Sequence, residues 1–260
     1  MPCCNIRKFD IIARSVGLVA QNPVIGNSAC CQKYERRSVM LESAARFARD
    51  ADVTVGVVIY EGVEPIDIGG TAGVLSMARR ILPNLSYRTI AEEAGEVTLA
   101  GGLVVVADSG FDAPPECDHI IVCGGPGWSH QTTRAAMLNY LKRQPTGRVA
   151  SVCTGALILA AAGLLSGHTA TTRRRAAPGE AAAPLERVQG LAPTSTAVAA
   201  AIVIDRGVLT SGGVSLAIDG TLAVLEKMFG ASARSEVAEL IEYDRAYAAN
   251  RDKLGHVILG

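Results

Sequence analysis

The chain has 260 residues, 49% of them hydrophobic and 19% charged. That composition supports a sizeable buried core and excludes a mostly disordered chain. Lys and Arg total 25, as do Asp and Glu, so the formal charge is zero. Nothing in the electrostatics calls for nucleic acid or an anionic membrane as partner, and no apolar run is long enough to read as a membrane span.

Residues 1 to 40 carry Arg7, Lys8, Arg14, Lys33, Arg36 and Arg37 against only Asp10 and Glu35. The apolar run Ile11 to Ala20 is broken by Arg14 and Gly17 and lacks the hydrophobic region of a signal peptide. A transit peptide shares such a composition. The preferred reading is a poorly ordered N-terminal extension over 1–50, with a short helix over Ser43 to Asp50. One α/β domain then spans 51–250, and 251–260 is a C-terminal tail.

Aromatic residues make up only 4%, so the core is aliphatic, which suits parallel strands covered by helices. Asp52 to Tyr60 is rich in β-branched residues and reads as a buried parallel strand. Residues 66 to 80 have helical spacing, with Pro83 as a stop. Ser86 to Ala91 is a second strand and Thr98 to Ala107 a glycine-broken hairpin. Asp118 to Cys123 is a third main strand, ending at Gly124-Gly-Pro-Gly127. A helix over 129–143 precedes a fourth strand, Arg148 to Val152, and a helix from Thr154 to Ala162. The Ala/Pro/Gly stretch 176–184 is a loop or a poor helix. Short strands follow at Ala201 to Asp205 and Val208 to Thr210, then helices over 214–229 and 231–248. This order gives a doubly wound, mostly parallel sheet flanked by helices.

Ligands in such sheets bind beyond the carboxyl ends of the strands. Three segments fall there: Glu64-Pro-Ile-Asp67, Gly124 to Gly127, and Cys153-Thr154. Cys153 joins a buried strand directly to a helix, as a nucleophile elbow does. The positive end of that helix is expected to favour its thiolate. Asp67, inside an apolar segment, is either an acid/base partner or a helix N-cap. Gly124, Gly125 and Gly127 offer backbone N–H groups for an oxyanion or anion, or form a plain turn. Trp128 either lines a pocket beside that loop or packs on the sheet. Thr154 either bonds a reacting group or starts the helix. Cys123 reads as core, Cys117 as a loop thiol, and Arg173-Arg-Arg175 as a solvated face.

The chain has seven cysteines and no Cys-x-x-Cys pair, and its four histidines are not at ligand spacing. Neither a metal site nor a disulfide framework is expected, and the pattern favours a reducing, cytoplasmic setting.

Five segments in order carry a resemblance: Val57 to Asp67, Ile120 to Gly127, Ser151 to Ala156, Leu164 to Thr172, and Ser211 to Asp219. The chain resembles the ThiJ/PfpI superfamily over about residues 53 to 245. Within it, Asp67, Cys153-Thr154 and Ile241-Glu-Tyr-Asp244 look most like the isocyanide (isonitrile) hydratase branch. The resemblance implies a flavodoxin-like, class I glutamine amidotransferase-like fold and a homodimer. It implies Cys153 as nucleophile, Asp67 as acid/base and Thr154 as an orienting hydroxyl. The implied reaction turns an isocyanide and water into an N-substituted formamide, with no metal or organic cofactor. The chain departs from that branch at Arg173-Arg174, where His-Trp is usual, and at Gly70 to Gly73, where Gly-Pro-x-Glu is usual.

Rival readings differ in what they require. A glutamine amidotransferase needs a late His-x-Glu, which is missing. A PfpI-type peptidase needs histidine where Thr154 stands. A transcription regulator would need a DNA-binding part, for which too few residues follow Asp244, and a regulator-derived domain lacking that part is the remaining form of this reading. A redox or carbonyl-stress protein would oxidise the same cysteine to a sulfinate.

Overall fold

A computed structural model of the chain describes residues 45–260. Its centre is an eight-stranded sheet in the order β12-β10-β11-β7-β6-β1-β2-β5. These strands are β1 (Val53–Val58), β2 (Leu85–Ala91), β5 (Ser109–Gly110), β6 (His119–Val122), β7 (Val149–Ser151), β10 (Ile202–Asp205), β11 (Val208–Ser211) and β12 (His256–Leu259). Every neighbouring pair is parallel except β10 with β11. β6 and β7 are buried along their whole length, as expected of strands covered on both faces. The expected doubly wound sheet is therefore present.

Two small sheets lie outside it. β3 (Gly95–Thr98) pairs with β4 (Val104–Ala107), and β8 (Thr169–Ala170) with β9 (Thr196–Ala197). The first is the expected glycine-broken hairpin, whose turn places Gly101 and Gly102 at φ of 80° and 90°.

The helices are more broken than periodicity predicts. The segment read as one helix over 66–80 comprises α1 (Pro65–Ile68), a π-turn over Gly69–Gly73, and α2 (Val74–Ala78). Gly70 explains the tight fit: a Cβ there would sit 2.8 Å from the Ala217 Cβ. The 129–143 segment divides into α3 (Trp128–Gln131) and α4 (Ala135–Lys142), because Arg134 is extended between them. α5 (Gly155–Ala161) follows the elbow as expected, and 176–183 is loop. The helix α6 (Pro184–Leu191) was not expected, although proline at its first turn is a start signal. The C-terminal helices are α7 (Ala217–Leu240), bent where Gly230 takes φ 87°, and α8 (Asp244–Leu254). No helix among the described residues is long and apolar enough to cross a membrane.

Both expected domain edges move outward. Residues 251–260 are not a tail: α8 runs to Leu254, and β12 pairs in parallel with β10 through Ile202 to Asp205. Residues 45–50 form bends and turns, not the expected helix, and they pack on α7. Phe47 N–H donates to the Met228 carbonyl, its ring lies 6.2 Å from that of Phe229, and Arg49 pairs with Glu236. The remainder of the expected extension, 1–44, lies outside the described residues.

Candidate active site

Three chain segments meet at the carboxyl ends of β1, β6 and β7. β7 ends at Ser151, and Cys153 takes φ 50° before α5 begins at Gly155. A non-glycine residue held there costs about 1–3 kcal/mol, so the surroundings must enforce it. They do so at both ends. Cys153 N–H donates to the Gly212 carbonyl at 3.2 Å, and Thr172 Oγ1 donates to the Cys153 carbonyl at 2.6 Å. Gly155 has no room for a side chain, since a Cβ would lie 2.2 Å from the Val122 carbonyl oxygen. Close strand-to-helix passage is thereby built in, and the Cys153 thiol is 2% exposed.

Gly213 closes the other side of the sulfur, where an added Cβ would lie 2.6 Å from Cys153 Sγ.

Asp67 approaches from α1 and is fully buried at 0%. It does not cap that helix; Glu64 holds the N-cap position. The carboxyl turns inward, and Oδ2 accepts a hydrogen bond from Gly124 N–H at 2.8 Å. Oδ1 has no hydrogen-bond partner among the described residues. Burial pushes the Asp67 carboxyl up to about 7; the Gly124 N–H and the Cys153 thiol act against the rise, Glu64 adds to it and Arg173 opposes it. Burial also pushes the Cys153 thiol well up, the Asp67 charge adds to that, and the Thr154 N–H and Arg173 oppose it. The helix terminus thus contributes as expected through Thr154 N–H, but burial and Asp67 outweigh it. Burial and the Asp67 charge therefore favour the protonated thiol over the expected resting thiolate.

The glycine loop plays a different part from a free anion nest. Gly124 N–H is given to Asp67, Gly125 N–H to Thr154 Oγ1 at 2.8 Å, and Gly127 N–H to the Gly62 carbonyl at 3.2 Å. All three donors serve the fold. Gly124 must be glycine, because a Cβ would come within 2.8 Å of Asp67 Oδ2 and closer still to Thr154. Gly127 packs against Glu61, away from the pair. Trp128 packs on the core under the Arg187 guanidinium, 5.9 Å from the ring centroid, and is not among the cavity-lining residues next to His130. Thr154 is 1% exposed and its hydroxyl ties the elbow to Gly125, bonding both N–H and carbonyl.

Two residues near the pair were missed or misread. Tyr60, just past β1, is 4% exposed, and its hydroxyl has no hydrogen-bond partner. Burial pushes its phenol well up, the Asp67, Cys123 and Cys153 charges add to the rise, and the Thr154 hydroxyl opposes it. Arg173 is not part of a solvated face. It is ion-paired with Glu180, its Nη1 donates to the Arg175 carbonyl at 2.7 Å, and its Cβ crowds Gly213. Cys123 is core, as expected, with its sulfur 3.9 Å from Thr71 Oγ1. Cys117 is half-buried, with its thiol pushed up to about 11, chiefly by burial.

Several known proteins are similar to this chain. An isonitrile hydratase from Pseudomonas putida is 28% identical over 198 residues, covering 75% of this chain and 78% of the relative. The HTH-type transcriptional regulator GbdR of Pseudomonas aeruginosa is 27% identical over 195 residues, covering 74% of this chain but only 51% of the regulator. The crystal structure of a ThiJ/PfpI family protein from Pseudomonas syringae superposes with a TM-score of 0.63 at 24% identity, over 75% of this chain and 76% of that one. The sequence pattern of the DJ-1/PfpI family matches residues 53–227, a span that holds Asp67, the glycine loop and Cys153-Thr154, and the chain belongs to that family.

Proposed function

We propose that this protein is a cysteine-dependent hydratase that converts an isocyanide and water into an N-substituted formamide. The observation that carries the reading is the buried Cys153–Asp67 pair on a strained elbow. An isocyanide carbon must receive both a nucleophile and a proton, and Cys153 and Asp67 together supply both. Sulfur bonds to the terminal carbon while the thiol proton passes by way of Asp67 to the same carbon, giving the thioimidate Cys–S–CH=N–R. Water then adds to that carbon; Asp67 carboxylate takes a water proton and passes it to the nitrogen. The C–S bond breaks, the hydroxyl proton returns to the Cys153–Asp67 pair, and R–NH–CHO leaves. Covalent catalysis divides one difficult addition into two easier ones. No oxidant or reductant enters.

The closed surroundings favour a slim, uncharged substrate. An isocyanide has no hydrogen-bond donor to leave unsatisfied at a buried site, whereas an extended peptide would bring many. The redox alternative asks for the reverse environment. Cysteine oxidation follows thiolate character and exposure, and Cys153 is buried with its thiol raised. The homology to the Pseudomonas putida hydratase supports the same choice.

The test is incubation with cyclohexyl isocyanide, followed by chromatographic detection of N-cyclohexylformamide. Turnover by the wild-type protein and none by Cys153→Ala supports the proposal. No turnover by wild type, with ready sulfinate formation at Cys153 under mild peroxide, would replace it with the redox reading.

A further inference from the structure

A cavity of about 310 Å³ opens past the carboxyl ends of β1 and β2, beside the β3–β4 hairpin, and neither Cys153 nor Asp67 lines it. Four glutamates face it against one arginine. That arginine is already paired: Arg134 donates to both Glu92 carboxylate oxygens, at 3.1 and 2.5 Å. Glu61 accepts the Thr98 N–H at 3.1 Å. Glu93 and Glu96 are exposed and make no hydrogen bond or ion pair with a described residue. Acidic surface of this kind is satisfied by water alone; Gln131 is not. It ends α3, lines the same cavity and is only 6% exposed. Its side-chain amide makes no hydrogen bond to a described residue, whereas amides buried to that degree are normally bonded. Leucine would line the wall without that cost. An unpartnered buried amide on the wall of an acidic cavity points to a bound molecule that completes it.

We propose that this cavity binds a small organic cation, an ammonium or guanidinium group on a short apolar chain, at a site separate from Cys153 and independent of the hydratase reading. The N–H donors of the cation bond the Gln131 carbonyl oxygen, and Glu93 and Glu96 supply the opposite charge. The buried side chains of Val97 and Met137, 5% and 1% exposed, take the chain. The volume is at the small end of ligand cavities, about 300–1,000 Å³, which limits that chain to a few carbons. Other ligand classes fit worse. An anion would meet four carboxylates with the one guanidinium already paired. A metal ion needs several converging ligands, and no three His, Cys, Asp or Glu side chains among the described residues are grouped to hold one. A neutral apolar molecule would leave Gln131 unsatisfied.

The experiment is calorimetric titration of the full chain with n-butylammonium chloride and n-butylguanidinium chloride, beside n-butanol, sodium butyrate and calcium chloride. At least one of the two organic cations should bind saturably, with n-butanol and butyrate weaker by about tenfold or more. Raising NaCl from about 0.05 to about 0.3 M should weaken that binding several-fold, because the carboxylates are exposed. Gln131→Leu should raise Kd about tenfold, and so should the double variant Glu93→Gln, Glu96→Gln. The exposed pair is removed without touching the core, so the double variant tests the site even if Gln131→Leu melts early. Cys153→Ala should bind the cation as wild type does, whatever the outcome of the hydratase assay. A Kd weaker than about 10 mM for both cations overturns the proposal. So does n-butanol binding as tightly, which would make the cavity merely apolar, or calcium competing equally at matched ionic strength, which would make it diffuse charge. Unchanged binding in both variants, or its loss in Cys153→Ala, would place the cation elsewhere and refute this site.

Discussion

Replacing Asp67 by asparagine should make the fold more tolerant of alkaline pH while removing the chemistry. The carboxyl stands at about 7 in the folded protein against an ordinary 3.8, chiefly through burial. A raised carboxyl binds its proton more tightly folded than unfolded. Below about pH 4 both states are protonated and Asp67 has no effect on stability. Between about 4 and about 7 the unfolded chain ionises first, so stability falls as pH rises; above about 7 the loss is complete. The span from 3.8 to about 7, at 1.36 kcal/mol per pH unit, sets that loss at about 4 kcal/mol. Asparagine cannot ionise. Its carbonyl can still accept the Gly124 N–H, and its buried NH2 adds a pH-independent cost of about 1–3 kcal/mol. Urea melts of both proteins at pH steps from 4 to 9 read the effect directly. The wild-type-minus-variant difference should decline by about 4 kcal/mol between pH 4 and 7.5 and then level off, which cancels the titration of unrelated groups. Turnover should drop about a hundredfold or more in the variant. Parallel stability curves over that range would show that Asp67 is not a strained buried acid, and unaltered turnover would remove it from the mechanism.

Further expectations follow from the same contacts. Because the working pair holds one proton, kcat/KM should fall as pH drops below about 7, where Asp67 and Cys153 are both protonated; a profile flat from pH 5 to 8 contradicts this. Gly124→Ala should destabilise the fold and abolish turnover, since its Cβ would sit 2.5 Å from Thr154 N and 2.8 Å from Asp67 Oδ2; a normal melt and normal rate would show that the loop yields. A chain beginning at Ala51 loses the Phe47–Phe229 contact and the Arg49–Glu236 pair, and should melt several degrees below one beginning at Ala45. We expect a homodimer, so light scattering should read about twice the 27.0 kDa chain mass, and a clean 27.0 kDa species is the contrary result.

The parts of this molecule that show in sequence are those set by local pattern. Aliphatic runs mark β1, β6 and β7 because strands buried on both faces need no alternation. Cys153 is legible because a buried strand gives way within three residues to a helix that opens on the small residues Gly155 and Ala156. Asp67 stands out as an acid in an apolar stretch, though its partners do not, since Gly124 is 57 residues away and their meeting depends on sheet order. For the same reason the glycine amides looked free: their acceptors, Asp67, Thr154 and Gly62, arrive from other segments. β12 is four residues long and is stabilised by pairing with β10 more than fifty residues earlier, so composition made it a tail. Tyr60 was hidden because a lone aromatic at a strand end reads as core until its hydroxyl is found without a partner.

The central claim is that Cys153 forms a covalent bond to the isocyanide carbon, assisted by Asp67. The most direct test is rapid acid quenching of wild type mixed with cyclohexyl isocyanide, followed by peptide mass mapping. The account predicts a transient mass gain of one isocyanide molecule on the peptide containing Cys153. It also predicts that the gain disappears in Cys153→Ala and persists longer in Asp67→Asn, where water addition is slowed. Formamide production with no adduct on Cys153 at any time, or with an adduct on Cys117 or Cys123 instead, would contradict it.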